Sequence, residues 1–464
     1  MKGEIIVNPK IRPVLDPTFL PGVLWNRAFR QEVMSSGKSN EIAIALEQRP
    51  DSISSFRTVM LPSGHPMESL NRRYVERLLK FLLWQKGGWK VSIAGDESMA
   101  RYLGEVYSSQ GERKFDCELI GSRVYGHPIV VKTCAMKNIP PTSGAAIPLG
   151  RHLDGCRIGF DLGGSDRKCA ALIDGKVVHS EEVPWDPYFQ KDPQYHWDGI
   201  NDSLKRAASK LPKVDAIGGS SAGVYVNNEV RVASLFRGVP VDVFNSRVKG
   251  MFHDLKKDWK VPFEVVNDGE VTALAGSMSI KENAVLGIAM GTSLASGYVT
   301  PEGGITQWLN ELAFAPIDYR CDAPSDEWSG DAGCGVQYFS QQAVGRLCKP
   351  AGIELPQGMP FADKLIEVQN LVKSGDERAV KIYETIGVYL GYAIPHYSDF
   401  YEISNILLLG RVMSGAGGEI IIEEAKHVMT EEFPELCERI KFRIPDEKEK
   451  RHGQAIAAAS LPNI

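Results

Sequence analysis

The sequence predicts an α/β protein with two related lobes and a smaller α/β domain in front of them. Two observations support this fold class. A strand–loop–strand pattern occurs twice, and its second copy begins 128 residues after the first, as the step from Gly163 to Gly291 shows. With 464 residues, the chain is also too long for one ordinary core. We therefore expect an N-terminal domain over residues 1–150, one lobe over 151–280 and a second lobe over 281–464.

The first copy of the pattern is RIGFDLGGSDRKCAALIDGKVV, residues 157–178. Its apolar runs are typical of strands, and the Asp-Gly pair at 174–175 is a strong hairpin signal. Asp161 and the Gly-Gly-Ser segment at 163–165 lie at the bend between the first two runs. An acid with glycines is more often an ordinary turn than a phosphate cradle, and the usual nucleotide loops lead into a helix. This stretch alone leaves both interpretations open.

The second copy is LGIAMGTSLASGYVTPEGGIT, residues 286–306, and it aligns with the first without a gap. The aligned bend residues are Gly163, Gly164 and Ser165 in the first copy and Gly291, Thr292 and Ser293 in the second. Small β-hairpins can resemble one another by chance, and a duplicated lobe is the alternative explanation. In a duplicated protein, the two glycine loops would face each other and hold a polyphosphate through backbone N–H groups.

Two further segments run from a buried strand into a loop or a helix. FEVVNDGEVTALAG places Asn267 and Asp268 at its junction, where side chains reach a cleft but where Asn and Asp also serve as ordinary helix caps. SNILLLGRVMSGAGGEIIIEEAKHVM has a strand at 406–409, followed by Gly410 and an amphipathic helix. Both segments predict a strand end that opens onto a cleft.

Taken in order, these elements resemble the motifs of a known family. The elements are Asp161-Leu-Gly-Gly, Asn267-Asp268, Gly291-Thr292-Ser293 and Leu409-Gly410. They are similar to the phosphate, catalytic, second phosphate and adenosine motifs of ROK sugar kinases, in the superfamily of actin, hexokinase and the heat-shock chaperone ATPases. ITQWLNELAF and GQAIAAAS resemble the family's sugar segment and closing helix. The resemblance covers about residues 157–461 and implies a duplicated ribonuclease-H-like (actin-like ATPase) fold.

The resemblance also implies ATP-dependent phosphorylation of a sugar hydroxyl, as in a glucokinase. Asp268 would be the general base that takes the hydroxyl proton, and Asn267 would hold a neighbouring hydroxyl. Asp161 would hold Mg²⁺ through water, because this ion keeps much of its hydration shell. The expected cofactors are therefore ATP and Mg²⁺. The alternative is a sugar- or nucleotide-binding regulator of the same fold that has lost catalysis.

Further binding residues follow from the same resemblance. The two glycine loops would donate N–H groups to the phosphates of ATP, and Gly410 would lie beside its adenosine. A β-carbon in either loop would hold the phosphate away from the backbone or prevent a positive φ. Glu311 falls on the family's sugar-binding glutamate. The family's sugar-side glycine loop matches Gly219, Ser220 and Ser221, although a serine-rich loop is more often a solvated turn.

The sequence departs from the family in its sugar and zinc segments. Phe314 falls where the family has a sugar-binding histidine, and Val336 falls where it has a glutamate. Of the family's zinc cysteines only Cys334 remains in SGDAGCGVQ, and structural zinc needs four ligands. We therefore expect no zinc. Either the acceptor is not an ordinary hexose, or other residues supply the missing contacts.

The region before the repeat predicts a small α/β domain. PMESLNRRYVERLLKFLLWQKGG predicts an amphipathic helix that ends at Gly87. WKVSIAGDESMARYLGEVY predicts a strand, a turn and a helix capped by Asp96, and RVYGHPIVVKTC continues the domain. Lys137–Gly150 is the expected linker.

Composition and charge limit the function classes. A net charge of −5 gives no electrostatic footprint for nucleic acid, and the region before the repeat shows no basic recognition helix. No apolar run is long enough to cross a membrane, and the N-terminus lacks the pattern of a signal peptide. Eight scattered cysteines without CxxC spacing are typical of reduced thiols. We expect a cytoplasmic homodimer that binds sugar and ATP but no nucleic acid or membrane, and a DNA-binding repressor is the weakest of three function classes.

Overall fold

The computed structural model describes residues 4–144, 149–444 and 447–464. Its first part, here called the N-terminal unit (residues 4–144), is an α/β layer. Its elements are α1 (Gly22–Ser35), β1 (Asn40–Arg49), β2 (Ser52–Met60), α2 (Leu70–Lys86), β3 (Lys90–Ala94), α3 (Glu97–Val106), α4 (Lys114–Asp116) and β4 (Val130–Cys134), with a π-helical stretch at Cys117–Tyr125. The four strands form one sheet in the order β2-β1-β3-β4.

Local signals explain the elements in the middle of this unit. α2 ends at Gly87, whose φ of 77° is costly for a residue with a side chain. The Asp96 carboxylate accepts hydrogen bonds from two N–H groups in the first turn of α3, as the sequence predicts. In the expected linker, Ser143 pairs with Ile53, and residues 145–148 lie outside the described chain.

The N-terminal lobe contains the predicted strand, glycine loop and hairpin. Its elements are β5 (Cys156–Leu162), β6 (Asp166–Ile173), β7 (Lys176–Pro184), α5 (Gln194–Ala208), β8 (Ala216–Ser221), β9 (Val224–Val226), β10 (Glu229–Val232), α6 (Val241–Val243), α7 (Met251–Trp259), β11 (Phe263–Asn267) and α8 (Asp268–Ile280). The main sheet has the order β7-β6-β5-β8-β11, with an antiparallel meander on one side and parallel strands on the other. Both central residues of the β6–β7 turn, Asp174 and Gly175, have positive φ, as the Asp-Gly signal predicts.

The C-terminal lobe repeats the central part of that sheet. Its elements are β12 (Val285–Met290), β13 (Leu294–Val299), α9 (Gln341–Cys348), α10 (Phe361–Lys373), α11 (Glu377–Ser398), β14 (Asn405–Leu409), α12 (Ala416–Glu432), α13 (Pro434–Arg439), β15 (Lys441–Arg443) and α14 (Glu447–Ala459). β12 is antiparallel to β13 and parallel to β14, which in turn is parallel to β15. β6 begins at Asp166 and β13 at Leu294, 128 residues later, so the predicted duplication is confirmed.

The last helix packs on the N-terminal lobe, although it follows the C-terminal lobe in sequence. α14 contacts β5, β6, β8 and α8. A β-carbon on Gly159 would overlap the carbonyl oxygen of Ala455, and one on Gly218 would overlap that of Ala458. The bare backbone of these two strands therefore lets the helix lie directly on the sheet.

The N-terminal unit and the C-terminal lobe share one hydrophobic core. The rings of Trp25 and Tyr319 are 5.6 Å apart, and Phe81 stacks on Phe400 at 3.9 Å. The N-terminal lobe has a separate core, which includes Phe252. The expected N-terminal domain thus has its own sheet but buries its apolar face against the C-terminal lobe.

Candidate functional site

Three parallel strands bring four predicted residues to one edge of the N-terminal sheet. In the strand register, Asp161 of β5 lies opposite Ser220 of β8, and Ser221 of β8 lies opposite Asn267 of β11. The carboxyl ends of parallel strands form the edge at which ligands bind in open α/β sheets. The predicted phosphate, sugar-side and catalytic segments therefore share one edge of the cleft.

Asn267, and not Asp268, is the cap of α8. The Asn267 Oδ1 accepts the Gly269 N–H at 2.7 Å, and its Nδ2 donates to the Gly223 carbonyl oxygen at 2.7 Å. Asp268 is the first residue of the helix, and its Oδ1 also lies 3.0 Å from the Gly269 nitrogen. The helix therefore has a cap without Asp268, while Asn267, predicted to hold a substrate hydroxyl, already makes two hydrogen bonds with the backbone.

Four carboxyl groups lie in or beside the cleft, and burial raises the pKa of each. Burial, together with the Asp161 carboxylate, raises the pKa of Asp268 to about 6. Burial and Asp268 raise the pKa of Glu311 to about 7, and burial raises that of Glu270 to about 8. Burial also raises the pKa of Asp161, against the opposing effect of the Ser220 hydroxyl. A carboxylate with a pKa near 6 is a stronger proton acceptor than an ordinary aspartate and is still ionised at neutral pH.

The expected sugar-side loop is wrong as a loop and as a solvated turn, because Gly219, Ser220 and Ser221 are buried residues at the end of β8. The Ser221 hydroxyl accepts a hydrogen bond from the Tyr225 hydroxyl at 2.7 Å. Ser220 is also buried and lies beside Asp161. Gly219 lies inside the strand, where the Phe160 ring occupies the space that a side chain would take. Packing in the core therefore accounts for glycine at this position.

In each glycine loop the first glycine donates its N–H within the loop, but the acceptor lies three residues further on in the first loop and two residues further on in the second. The Gly163 N–H donates to the Asp166 carbonyl oxygen, and the Gly291 N–H donates to the Ser293 carbonyl oxygen, both at 2.9 Å. The other predicted phosphate-binding residues in these loops are Gly164, Ser165, Thr292 and Ser293. A positive φ is wrong as the reason for the glycines, because Gly163, Gly164 and Gly291 all have ordinary φ values. At Gly164 the Tyr188 hydroxyl occupies the space that a side chain would take, whereas at Gly163 and Gly291 the close approach of a ligand to the backbone stays a prediction.

Gly410 lies in the same corner of the C-terminal lobe as the second glycine loop. Its φ is 101°, and a β-carbon there would overlap the backbone of Met290, the residue before Gly291. Only glycine fits this position without strain. The structure thus places the predicted adenosine and second phosphate segments side by side.

The segment predicted to bind the sugar packs against the N-terminal unit. The Glu311 N–H donates to the Trp84 carbonyl oxygen at 3.0 Å. The Phe314 ring lies 4.4 Å from the Trp84 ring and 5.3 Å from the Phe115 ring, and Val336 is buried. Both positions that depart from the family's sugar contacts therefore belong to apolar packing.

A buried ion network lies beside the segment that aligns with the family's zinc segment. Lys80 and Arg113 of the N-terminal unit both contact the Asp331 carboxylate. Burial raises the pKa of the nearby Cys334 thiol to about 12, which disfavours the thiolate that a metal requires. In the ranges that the structure describes, no three His, Cys, Asp or Glu side chains are arranged to hold a metal ion. The absence of zinc stays a prediction.

Sequence reasoning missed several residues of this region. Glu270 lies in the same quoted segment as Asp268, and its burial was the missing information. Tyr225 follows the sugar-side residues Ser220 and Ser221 in the chain, whereas Trp84 and Arg49 lie in segments without a motif. Only the folded chain brings Tyr225 to the cavity and the other two into contact with residues that line it. A single sequence contains no signal that identifies them.

A family model described as ROK family matches residues 157–461. The match begins at the first residues of β5 and ends just after α14, so it covers both lobes and leaves the N-terminal unit outside. No curated protein matches the sequence.

Solved structures of ROK proteins resemble this chain. The ROK hexokinase from Thermus thermophilus has 17% identity and a TM-score of 0.53 over 66% of this chain and 97% of that one. A ROK family transcriptional regulator, a homologue of the E. coli MLC protein, has 18% identity and a TM-score of 0.53 over 79% and 97%. The ROK family glucokinase from Streptomyces griseus, solved with glucose and AMPPNP, has 18% identity and a TM-score of 0.48 over 66% and 99%. The first two matches share the fold, and the expected actin-like ATPase architecture is confirmed.

Proposed function

The chain belongs to the ROK family, and on this premise we propose that it is an ATP-dependent kinase that phosphorylates a sugar hydroxyl. The observation that carries the proposal is the Asp268 carboxyl at the start of α8. It lies near Asp161 and Glu311, its pKa is raised to about 6, and Asn267 supplies the helix cap in its place. At neutral pH such a group is ionised and accepts a proton readily.

The chemistry follows from the positions of these groups. Asp268 would accept the proton of the sugar hydroxyl as its oxygen attacks the γ-phosphorus of ATP. Glu311 and Asn267 would hold neighbouring hydroxyls, and N–H groups of the two glycine loops would contact the phosphates. Both loops end strands at the cleft, and in transfers of this kind the protein mainly positions the reactants.

A hydrated Mg²⁺ suits this site because burial and then the negative charge of Asp161 raise the pKa of Asp268, so the two carboxylates repel each other when both are ionised. A cation beside them would offset that repulsion. Asp161 would hold the ion through water, since Mg²⁺ usually takes only one or two carboxylates. When bound, the ion neutralises charge on the phosphates.

The direct test is turnover of a panel of sugars. Purified protein with ATP and Mg²⁺ is expected to release ADP in the presence of a hexose, an amino sugar or an N-acetylated sugar. Plain glucose should be a weak acceptor, because Phe314 and Val336 offer no side-chain hydrogen bond and an unpaired buried hydroxyl costs about 1–3 kcal/mol. Efficient glucose turnover would show that the acceptor contacts are elsewhere.

A second candidate function is binding without catalysis. The observation that favours it is Phe314, which is packed between two aromatic rings in the segment proposed to bind the sugar. Calorimetric titration with the same sugar panel separates the two candidates. Sugar binding without ADP release would favour the binding protein over the kinase.

The two-lobe site predicts that Gly291→Val weakens ATP binding. A β-carbon at Gly291 would meet only the Ser293 carbonyl oxygen, at an ordinary 3.5 Å, so the protein should fold normally. A valine side chain would nevertheless keep phosphate from the backbone, and loss of one charge-assisted hydrogen bond corresponds to about a tenfold rise in Kd. Titration with ATP checks the Kd, and circular dichroism checks the fold.

Gly250→Val is the matched control, since a β-carbon there has open space and Gly250 lies at the start of α7. Gly164→Val is less suitable, because its side chain would overlap the Tyr188 hydroxyl. Parental ATP affinity in Gly291→Val would show that the second glycine loop is only a turn.

Location and partners are also part of the proposal. No helix in the described ranges is long and apolar enough to span a membrane. We propose a cytoplasmic homodimer that acts on small molecules. A net charge of −5 argues against nucleic-acid binding. DNA binding that weakens steeply with rising salt would contradict this part.

A further inference from the structure

The cavity beside the candidate acceptor residues has three walls, and one comes from the N-terminal unit. Tyr125 belongs to that unit, Asn227 and Asn267 to the N-terminal lobe, and Trp308 and Glu311 to the C-terminal lobe. A molecule in this cavity would therefore touch the N-terminal unit as well as both lobes.

The end of α2 holds the segment that carries Glu311. The carbonyl oxygens of Trp84 and Gln85 accept the N–H groups of Glu311 and Asn310, both at 3.0 Å. The ammonium of Lys86, the next residue, lies over the Trp308 ring. Three consecutive residues of the N-terminal unit thus fix the backbone from which the Glu311 carboxyl reaches the cavity.

One guanidinium connects the N-terminal unit to both lobes. Arg49 is the last residue of β1, and its Nη1 donates to the Asn227 Oδ1 at 2.5 Å, in the turn between β9 and β10. Its Nη2 donates to the Gln307 Oε1 at 2.9 Å, next to Trp308 in the C-terminal lobe. A planar group with several donors suits such a bridge, whereas a lysine ammonium is a single point charge.

We infer that the N-terminal unit is a built-in third wall of the acceptor pocket and that Arg49 is a positioning residue that latches the two lobes over it. Asn227 and Gln307, which accept the two hydrogen bonds from Arg49, line the cavity, so the latch acts where the acceptor would bind. The expected effect of Arg49 on acceptor binding rests on the proposed function, whereas its expected effect on the contacts between the lobes does not. Loss of the latch should weaken acceptor binding and leave the phosphoryl transfer step largely unchanged.

Hydrogen exchange on the full chain without ligands tests the latch itself. In Arg49→Ala, amides of residues 224–232 and 306–311 are expected to exchange faster than in the parent. Arg57→Ala is the matched control, because Arg57 lies in the same sheet and makes an exposed ion pair with Glu41. Unchanged exchange at both segments in Arg49→Ala would overturn the latch.

Kinetics with a verified acceptor test the positioning role. Arg49→Ala is expected to raise the acceptor KM about tenfold, as loss of a charge-assisted hydrogen bond would, and to change kcat and the ATP KM by less than about twofold. Arg49→Lys should restore only part of the loss. Asn227→Ala should raise the same KM, and the double variant should be little worse than Arg49→Ala, because both changes remove one shared interaction.

The outcomes separate the two proposals. A fall in kcat at constant acceptor KM, or additive effects of the Arg49 and Asn227 changes, would overturn the positioning role. If the parent phosphorylates no sugar, the proposed function fails, while faster exchange in Arg49→Ala still supports the latch.

Discussion

Asp268→Asn is expected to lose at least about a hundredfold in kcat and to keep the fold, because removal of a general base typically costs about 10²–10⁴ in rate. Asparagine retains the shape and the Oδ1 that faces the Gly269 N–H, and Asn267 still caps α8. The variant loses only the proton acceptor. Steady-state kinetics with a verified acceptor give kcat, and ATP titration shows whether the nucleotide still binds.

The raised pKa of Asp268 adds a prediction for pH. In the parent, kcat/KM should fall as the pH drops below about 6, because the carboxyl then becomes protonated. Its pKa in the fold exceeds the ordinary value of 3.8, so ionisation destabilises the fold as the pH rises through about 6. Asp268→Asn lacks this cost, and at pH 8 it should melt at the same temperature as the parent or higher.

The control for this variant is Asp254→Asn, an exposed position on α7 whose change should leave kcat unaltered. Near-parental turnover in Asp268→Asn would reject Asp268 as the base. The neighbouring Glu311 would then be the next group to test.

Lys80→Met is expected to lower the free energy of unfolding by about 3–5 kcal/mol, the usual effect of removing one partner from a buried ion pair. Lys80 is fully buried, and its ammonium contacts Asp116 at 3.0 Å and also contacts Asp331. The buried part of the network contains three cations and three anions, namely Arg77, Lys80, Arg113, Glu76, Asp116 and Asp331, and Arg113 also contacts the exposed Glu112. The methionine variant would leave one buried negative charge without its partner. Urea unfolding followed by tryptophan fluorescence measures the loss.

Two further variants separate charge from packing. Lys257→Ala removes an exposed ion pair on α7 and should change stability by no more than about 1 kcal/mol. Lys80→Met/Asp116→Leu removes both charges of the fully buried Lys80–Asp116 pair and should recover much of the loss, because apolar replacements of a buried pair are often neutral. If Lys80→Met is as stable as the parent, the ion pairs between the N-terminal unit and the C-terminal lobe do not contribute to the free energy of unfolding.

Much of the fold could be predicted because its signals are local. Asp174 and Gly175 predict their turn through the positive φ that both adopt, and Asp96 predicts its helix start through a carboxylate that accepts two nearby N–H groups. The repeat at 128 residues predicted the second lobe because each copy contains its own strand and turn signals. The packing of the N-terminal unit against the C-terminal lobe was not predictable. The apolar face of α2 indicates that the helix is buried but does not identify the segment that covers it.

The candidate site also has features that the sequence predicted and features that only the structure shows. The positions of Asp161 and Asp268 at strand ends followed from the sequence pattern, and the structure places both at one edge of the cleft. Whether Asn267 or Asp268 caps α8 depends on backbone geometry, which a single sequence does not contain. Of the two reasons expected for the glycines in the two loops, a positive φ is wrong, and the close approach of a ligand stays a prediction.

The sequence by itself determined the duplicated α/β architecture, the order of the motifs and the residue types at the cleft. Only the tertiary structure decided which groups are buried together. Arg49 and Asn227 are 178 residues apart in the chain, and Lys80 and Asp331 are 251 apart. Turns and caps depend on hydrogen bonds and φ values within a few residues, so a short segment contains their cause. Shifted pKa values and buried charge pairs depend on desolvation by distant segments, and these segments meet only after the chain has folded.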